Sequence, residues 1–113
     1  MTIAHQISSI LDSLKAEEIN IINVDDQSDE FDTIIIASGR SSRHNQSLMQ
    51  NCIELMKKNH QISPTHYEKD SLNEWILIDY KTVVVHLLQN ETRQYYDLEK
   101  LWAPLPQKYQ EVN

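Results

Sequence analysis

Residues 31–42 read FDTIIIASGRSS, and this segment carries the strongest structural signal in the 113-residue chain. Residues 31–37 form a nearly continuous apolar run of strand length, which is typical of a strand buried on both faces. Gly39, the only glycine of the chain, follows this run, and Ser41 or Ser42 can cap a helix that begins directly afterwards. The segment therefore predicts a central strand, a tight turn and a helix.

Upstream and downstream of this segment, the spacing of apolar residues predicts the other elements. The predicted elements are a helix over residues 3–14 with Thr2 as its N-cap, strands over residues 19–24 and 31–37, a helix ending near residue 59, a short strand at residues 65–67, strands over residues 75–79 and 83–88, and a last helix over residues 95–102 ended by Pro104 and Pro106. The connection between the last two strands is too short for a parallel crossover, so these strands are expected to form an antiparallel hairpin.

This order of elements, α-β-β-α-β-β-β-α, favours one α/β domain with a mixed sheet of about five strands flanked by helices. The length also fits one domain and not two. We expect residues 1–106 to form this domain and residues 107–113 to be a frayed tail.

Composition limits the compartment and the kind of partner. The chain has 10 Lys and Arg residues against 17 Asp and Glu, a formal net charge of −7. This charge disfavours sequence-independent binding to nucleic acid and suits a basic protein partner better. With one cysteine there is no intrachain disulfide, and no apolar run approaches the roughly 20 residues that span a bilayer. We therefore expect a cytoplasmic domain with no membrane partner.

Residues able to carry chemistry form no recognisable catalytic or metal-binding pattern. Cys52 lies on the apolar side of its predicted helix, as a small core residue would. The histidines lack zinc-site spacing, and the acidic residues between positions 25 and 32 are typical of a solvated turn. We expect no catalytic residue, no metal and no cofactor.

The turn at residues 38–42 has two interpretations. Backbone N–H groups at a helix N-terminus, together with Arg40, can hold a phosphate. Alternatively, the turn simply needs one glycine and a serine cap. Because the pattern lacks the spacing of a P-loop or a dinucleotide-binding fingerprint, the second interpretation is favoured.

Both faces of the predicted hairpin are apolar. Trp75, Leu77 and Asp79 share one face of their strand, and on the pairing strand Val84 and His86 alternate with other apolar residues. One face must pack against the helices. The other face, with a tryptophan and a histidine, is either a docking surface for another protein or fully buried.

Several blocks of the sequence, in one order and at one spacing, resemble the ribosomal silencing factor (RsfS, or Iojap) family. The blocks are DTIIIASGRS at residues 32–41, RH at 43–44, WILIDY at 75–80, VVVH at 83–86, Arg93, YY at 95–96 and LEKLW at 98–102. Together they span about two thirds of the chain, from residue 31 to residue 102, and the N-terminal helix also resembles the opening of the family.

The resemblance implies an α/β fold similar in outline to nucleotidyltransferases, and a role that is not enzymatic. It implies binding to the large ribosomal subunit through its fourteenth ribosomal protein, a small basic β-barrel. Binding there would block association with the small subunit and repress translation when nutrients are scarce. Some members of the family form homodimers when free.

Carried onto this sequence, the resemblance implies a set of partner-binding residues. They are Trp75, Leu77, Asp79, Tyr80, His86, Arg93 and Tyr95, with Trp102 bordering the face or belonging to the core. The chain departs from the family pattern at Lys69 and at Lys81-Thr82, where the family tends to have glycine and Gly-Asp. If the hairpin turn needs a positive φ, Lys81 costs about 1–2 kcal/mol relative to glycine.

Two other functions stay open from the residues alone. One is an enzyme of nucleotidyltransferase type that uses residues 38–42 for phosphate. This class needs carboxylates close together on a strand to hold Mg²⁺, and Asp32 has Ile34 where the second acid would stand. The other is a scaffold that only forms homodimers through its sheet face.

Overall fold

The apolar run near residue 35 becomes a strand close to the middle of a five-stranded sheet in the computed structural model, which describes residues 2–102. The elements are α1 (Ile3–Ser13), β1 (Glu17–Asn23), β2 (Thr33–Ser38), α2 (Ser42–His60), β3 (His66–Lys69), β4 (Trp75–Asp79), β5 (Val83–Leu88), α3 (Asn90–Tyr96) and α4 (Leu98–Leu101). This architecture confirms the predicted α/β domain with a mixed five-stranded sheet.

The strand order across the sheet is β1-β2-β5-β4-β3. β2 and β5 are parallel, and the other neighbouring pairs are antiparallel, including the predicted hairpin of β4 and β5. The two parallel strands lie inside the sheet and are the most apolar, as expected for strands covered on both faces.

Helices α1 and α2 cover one face of the sheet and build the larger core. Ile7 and Leu11 of α1 and Leu48 and Met56 of α2 are almost fully buried against it. The strand residues they meet alternate along the chain: Ile35, Ala37, Ile76, Ile78, Val83, Val85 and Leu87. The two long helices therefore cover the middle of this face, whereas Tyr67 of β3 stays 52% exposed at its edge.

The opposite face is covered only in part. Its smaller core consists of Val24, Ile34, Ile36, Leu88 and Leu98. Phe31 and Trp102 pack against it, with their ring centroids 5.8 Å apart in an edge-to-face arrangement. The short helices α3 and α4 reach only one end of this face, so the β3–β4–β5 end is left open.

The turn between β2 and α2 needs its glycine because the backbone approaches closely. A Cβ atom at Gly39 would lie 2.7 Å from the backbone nitrogen of Asn45, a distance that real Cβ atoms do not adopt. Ser41 caps α2 by accepting the His44 N–H at 3.0 Å, and Thr2 caps α1 by accepting the His5 N–H. Both predicted caps are confirmed, with Ser41 and not Ser42 as the cap of α2.

The last helix differs from its prediction. A helix begins already at Asn90, in a segment expected to be a loop, and it is broken at Asp97, whose φ is 49°. Pro104, Pro106 and the predicted tail at residues 107–113 lie outside the described residues. Within residues 2–102, no helix is long and apolar enough to cross a membrane.

Candidate docking surface

The open end of the second sheet face forms a groove, called here the docking groove. It is lined by Glu30, Phe31, His66, Glu68, Leu77, Asp79, Lys81, Val84, His86 and Trp102. Strand register arranges the sheet residues in two rows. Glu68, Leu77 and His86 form one row, and His66, Asp79 and Val84 form the other. Because cross-strand neighbours on one face touch, the apolar side chains form a continuous floor.

His86 is held in this floor by Trp75. The indole Nε1–H of Trp75 donates to His86 Nδ1 at 3.0 Å, and the two ring centroids are 5.9 Å apart. An indole nitrogen can only donate, so Nδ1 must be an acceptor and the proton of the neutral ring sits on Nε2. Burial lowers the pKa of His86 to about 4. His86 is therefore a neutral imidazole that offers a donor from the groove.

The rim of the docking groove is mainly acidic. Glu30, Glu68 and Asp79 contribute carboxylates, and Asp79 Oδ2 lies 3.6 Å from His66 Nδ1. The other Asp79 oxygen accepts the backbone N–H of Lys81 at 2.7 Å, which fixes this carboxylate beside the hairpin turn. An apolar floor with an acidic rim is suited to an apolar projection flanked by basic residues.

The hairpin turn at this rim is strained. Lys81 has a φ of 76°, and the Thr82 N–H donates to the Tyr80 carbonyl at 3.1 Å, so the three residues form a γ-turn. The hairpin turn thus has the positive φ at Lys81 for which a cost relative to glycine is predicted from the sequence.

Aromatic side chains border the groove near α3. Trp75 packs against Tyr96, with ring centroids 4.8 Å apart, and Tyr96 meets Tyr95 edge to face at 4.9 Å. Tyr95 is 81% exposed. The predicted residues Trp75, Leu77, Asp79 and His86 thus lie on one continuous face, and Tyr95 lies at its aromatic border.

Tyr80 was placed on this face by the resemblance, and that placement is wrong. Its side chain belongs to the core beneath α1 and α2 and is only 6% exposed. Strand alternation is the reason, because Tyr80 follows Ile76 and Ile78 at intervals of two and so points with them. Burial raises the pKa of the Tyr80 phenol, which faces the Cys52 thiol.

The predicted residue Arg93 makes its hydrogen bonds within the protein. Its side chain is 7% exposed and donates to Ser38 Oγ at 2.9 Å and to the Glu18 carbonyl at 2.8 Å. Arg93 donates two further hydrogen bonds, at 3.2 and 2.7 Å, to the Glu99 carboxylate. The hydrogen bonds from Arg93 hold the pKa of Glu99 below its usual range. Arg93 therefore ties α3 and α4 to the sheet and shapes the groove from a distance.

The turn at residues 38–42 uses its polar groups internally. Ser38 accepts from Arg93, and the Arg40 N–H donates to His44 Nδ1 at 3.0 Å. The other nitrogen of His44 lies 3.0 Å from the Leu14 carbonyl, so this ring joins the turn to the end of α1. These contacts favour the interpretation of residues 38–42 as a turn with a glycine and a serine cap, and disfavour the interpretation as a phosphate site.

Cys52 lies in the core, as predicted. It is fully buried, and burial raises the pKa of its thiol to about 12. In the part of the chain that the structure describes, no group of three or more His, Cys, Asp or Glu residues is placed to hold a metal ion.

Sequence reasoning missed several groove residues. They are Glu30, Phe31, His66, Glu68 and Lys81. Val84 was not missed, because alternation placed it on the same face as His86. The β3 residues could not be assigned to this face, because β3 is four residues long, fully exposed and without an apolar pattern that sets its register against β4.

The chain is similar to proteins whose names refer to the ribosome. A family model described as "Ribosomal silencing factor during starvation" (RsfS) matches residues 2–113. Over 103 residues the chain is 33% identical to "Ribosomal silencing factor RsfS" of Haemophilus influenzae, covering 91% of this chain and 100% of that protein. Over 97 residues it is 31% identical to "Mitochondrial assembly of ribosomal large subunit protein 1" of Mus musculus, covering 84% of this chain and 42% of that protein.

The fold has been seen in solved structures. An X-ray structure of a Chromobacterium violaceum protein aligns with this chain at a TM-score of 0.81 and 27% identity, covering 93% of this chain and 90% of the other. A crystal structure of a Bacillus halodurans protein aligns at a TM-score of 0.77 and 28% identity, covering 90% and 94%.

Proposed function

Because the chain belongs to the family of ribosomal silencing factors, we propose that it binds the large ribosomal subunit and keeps the small subunit from joining. The contact is made with the fourteenth ribosomal protein, and the outcome is repression of translation under nutrient limitation or in stationary phase. The protein acts in the cytoplasm, where ribosomes work, and acts as a binding protein and not as an enzyme.

The observation that carries this proposal is the uncovered docking groove. Two long helices cover most of one face of the sheet, whereas the opposite face keeps Leu77 and His86 half-buried within an acidic rim. A small basic protein matches this combination of apolar floor and negative charge. The net charge of −7 acts in the same direction.

Each groove residue then has a role that its surroundings support. Leu77 supplies apolar contact area in the groove floor, where interface residues contribute most to affinity, and the Trp75 ring extends this area at the border. His86 offers its Nε2–H to an acceptor of the partner, since Nδ1 is already engaged by Trp75. Asp79, held between the Lys81 backbone and His66, meets a lysine or arginine.

Silencing by this route is steric. A folded domain seated at the joint between the subunits excludes the small subunit by its volume, and no change of conformation is needed. The degree of repression then follows the affinity and the amount of the protein.

A homodimer of the free protein is a second possibility favoured by the same groove, because an apolar surface left open in one copy can be covered by another. Such a dimer would hide the residues that bind the ribosome. Self-association and ribosome binding would then compete for one surface.

The test is light scattering of ribosomal subunits mixed at a Mg²⁺ concentration that allows joining, with the protein bound beforehand to the large subunit. Wild-type protein should reduce joining in proportion to its amount. Leu77→Arg places a charge in the groove floor and should weaken the inhibition about tenfold or more. Tyr67→Arg is the matched control, because Tyr67 is 52% exposed on β3 and lies opposite Ile78, on the other face.

Equal loss of inhibition in the two variants, with both folded, would remove the groove from the interaction. Normal joining with wild-type protein demonstrably bound would mean a ribosome-binding protein with another role. Wild-type protein that fails to bind the large subunit would overturn the proposal.

A further inference from the structure

Lys81 occupies a backbone conformation that favours glycine, at the rim of the docking groove. Its φ of 76° and the γ-turn bond from Thr82 N–H to the Tyr80 carbonyl leave little freedom for an L side chain. Five other non-glycine residues of the described chain have positive φ: Lys15, Glu18, Gln61, Asn73 and Asp97. None of these five lines the groove. A strained side chain held at a binding surface is a sign of a functional constraint.

Lys81 differs from the other groove residues in its charge. Among the described residues that line the groove, it is the only lysine or arginine, beside the carboxylates of Glu30, Glu68 and Asp79. The ion pairs within residues 2–102 are His66–Asp79 and Arg93–Glu99, so the Lys81 ammonium has no carboxylate of the described chain within ion-pair distance. The Asp79 side chain binds the Lys81 backbone instead, which directs the turn.

We propose that Lys81 is a specificity-determining residue, whose ammonium pairs with an aspartate or glutamate side chain of the protein docked in the groove. This inference rests on the proposed function and adds an acidic group to the otherwise basic surface that the groove selects. A partner without that carboxylate would lose this ion pair and would bind more weakly.

The surroundings favour a carboxylate over a phosphate of ribosomal RNA. Three carboxylates share the groove with Lys81 and would repel a backbone that carries a negative charge at every nucleotide. A single acidic side chain on an otherwise basic protein can approach one ammonium and still place its basic neighbours against those carboxylates.

The experiment measures dissociation constants for two targets, the isolated fourteenth ribosomal protein and the intact large subunit. Four variants are compared with the wild type: Lys81→Gly, Lys81→Asn, Lys81→Arg and Lys15→Gly. Lys15 is the matched control, because it is an exposed lysine with a φ of 71° at the end of α1, outside the groove. Both glycine variants remove one positive charge and relax one strained residue.

The two glycine variants should each raise the midpoint of thermal unfolding by about 4 °C. Only the Lys81 variants should affect binding. Lys81→Gly and Lys81→Asn should bind both targets about five- to tenfold more weakly, whereas Lys81→Arg and Lys15→Gly should bind like the wild type.

Wild-type affinity of Lys81→Asn for the isolated protein would overturn the inference while leaving the proposed function in place. A loss confined to the intact subunit would also overturn it, because the contact would then be with ribosomal RNA. Wild-type protein that binds neither target would overturn the proposed function itself, and this inference with it.

Discussion

At the scale of single residues, His86 shows how a hydrogen bond sets a protonation state. Trp75 occupies Nδ1, and burial in the groove floor disfavours the charged ring, which together keep the imidazole neutral. The pKa of His86 falls from its ordinary value of 6.5 to about 4. A neutral ring can sit in an apolar interface at low energetic cost, which an imidazolium cannot.

This lowered pKa makes the stability of the fold depend on pH. Between pH 6.5 and 4 the unfolded chain binds a proton at His86 that the folded chain does not bind. The stabilisation that the neutral His86 ring provides is therefore complete above pH 6.5. It is lost as the pH falls toward 4, and the total loss in the free energy of unfolding is about 3 kcal/mol. His86→Asn retains an acceptor for Trp75 but cannot titrate in this range. Denaturant unfolding at pH 7.0 and 4.5 should show a smaller loss for His86→Asn than for the wild type.

Glu99 also loses its favourable ionised form in acid, but it does so in both proteins. The difference between wild type and variant therefore isolates the histidine. An equal loss of stability in the two proteins would contradict the neutral, buried imidazole.

At the scale of elements, one polar side chain joins α3 and α4 to the sheet, in addition to the apolar contacts of Leu98 and Tyr96. Arg93 links α3 to the carbonyl of Glu18, to Ser38 at the end of β2 and to Glu99 on α4. Asn20 of β1 also donates to Glu99, at 3.3 Å. The position of this helix pair decides how much of the second sheet face remains open.

Arg93→Met should lower the free energy of unfolding by about 2–3 kcal/mol, because Ser38 and the Glu18 carbonyl lose their donor. Amide hydrogen exchange should quicken in α3 and α4 more than in β2 or β5. Gln94→Met, at the exposed neighbouring position on α3, is the control and should leave exchange unchanged. Exchange that quickens equally in all elements after Arg93→Met would mean that the helix pair does not open separately.

The same observation explains what the sequence could and could not predict. Elements with an apolar period were found, from α1 to the β4–β5 hairpin, because their burial follows directly from residue type. The segment NETRQYY at residues 90–96 has no such period, and its one buried residue is an arginine. Its helix depends on bonds to residues 55 and 75 positions away in the chain, which no local pattern reveals.

For the groove, alternation correctly put Trp75, Leu77, Asp79 and His86 on one face. Alternation also argues against Tyr80, which the family resemblance had added. The polar side chains of Glu30, His66 and Glu68 reach the groove only because distant segments meet there, and so they required the structure.

At the scale of the whole molecule, the two faces of the sheet differ in kind. One carries the larger apolar core beneath two helices, and the other is half open and rimmed with carboxylates. The stability of the domain and its proposed binding are thereby assigned to opposite sides. Substitutions in the groove floor can thus change affinity without dismantling the main core.

The net charge of −7 should speed encounter with a basic protein. The association rate constant with the isolated fourteenth ribosomal protein should fall about tenfold between roughly 0.05 and 0.5 M salt. Glu68→Gln in the groove should reduce the rate at low salt more than Glu54→Gln, an exposed position on α2. Equal rates for the two variants would place the encounter surface elsewhere on the molecule.

The fully buried Cys52, with its thiol pKa near 12, has a practical consequence for such measurements. Thiolate is the species that maleimides and iodoacetamides modify, and at neutral pH this side chain supplies almost none of it. The folded protein therefore behaves toward these reagents as though it had no cysteine. One cysteine introduced on the solvent side of α2, as in Gln50→Cys, gives a single attachment point for a fluorophore, far from the groove and without altering the native core.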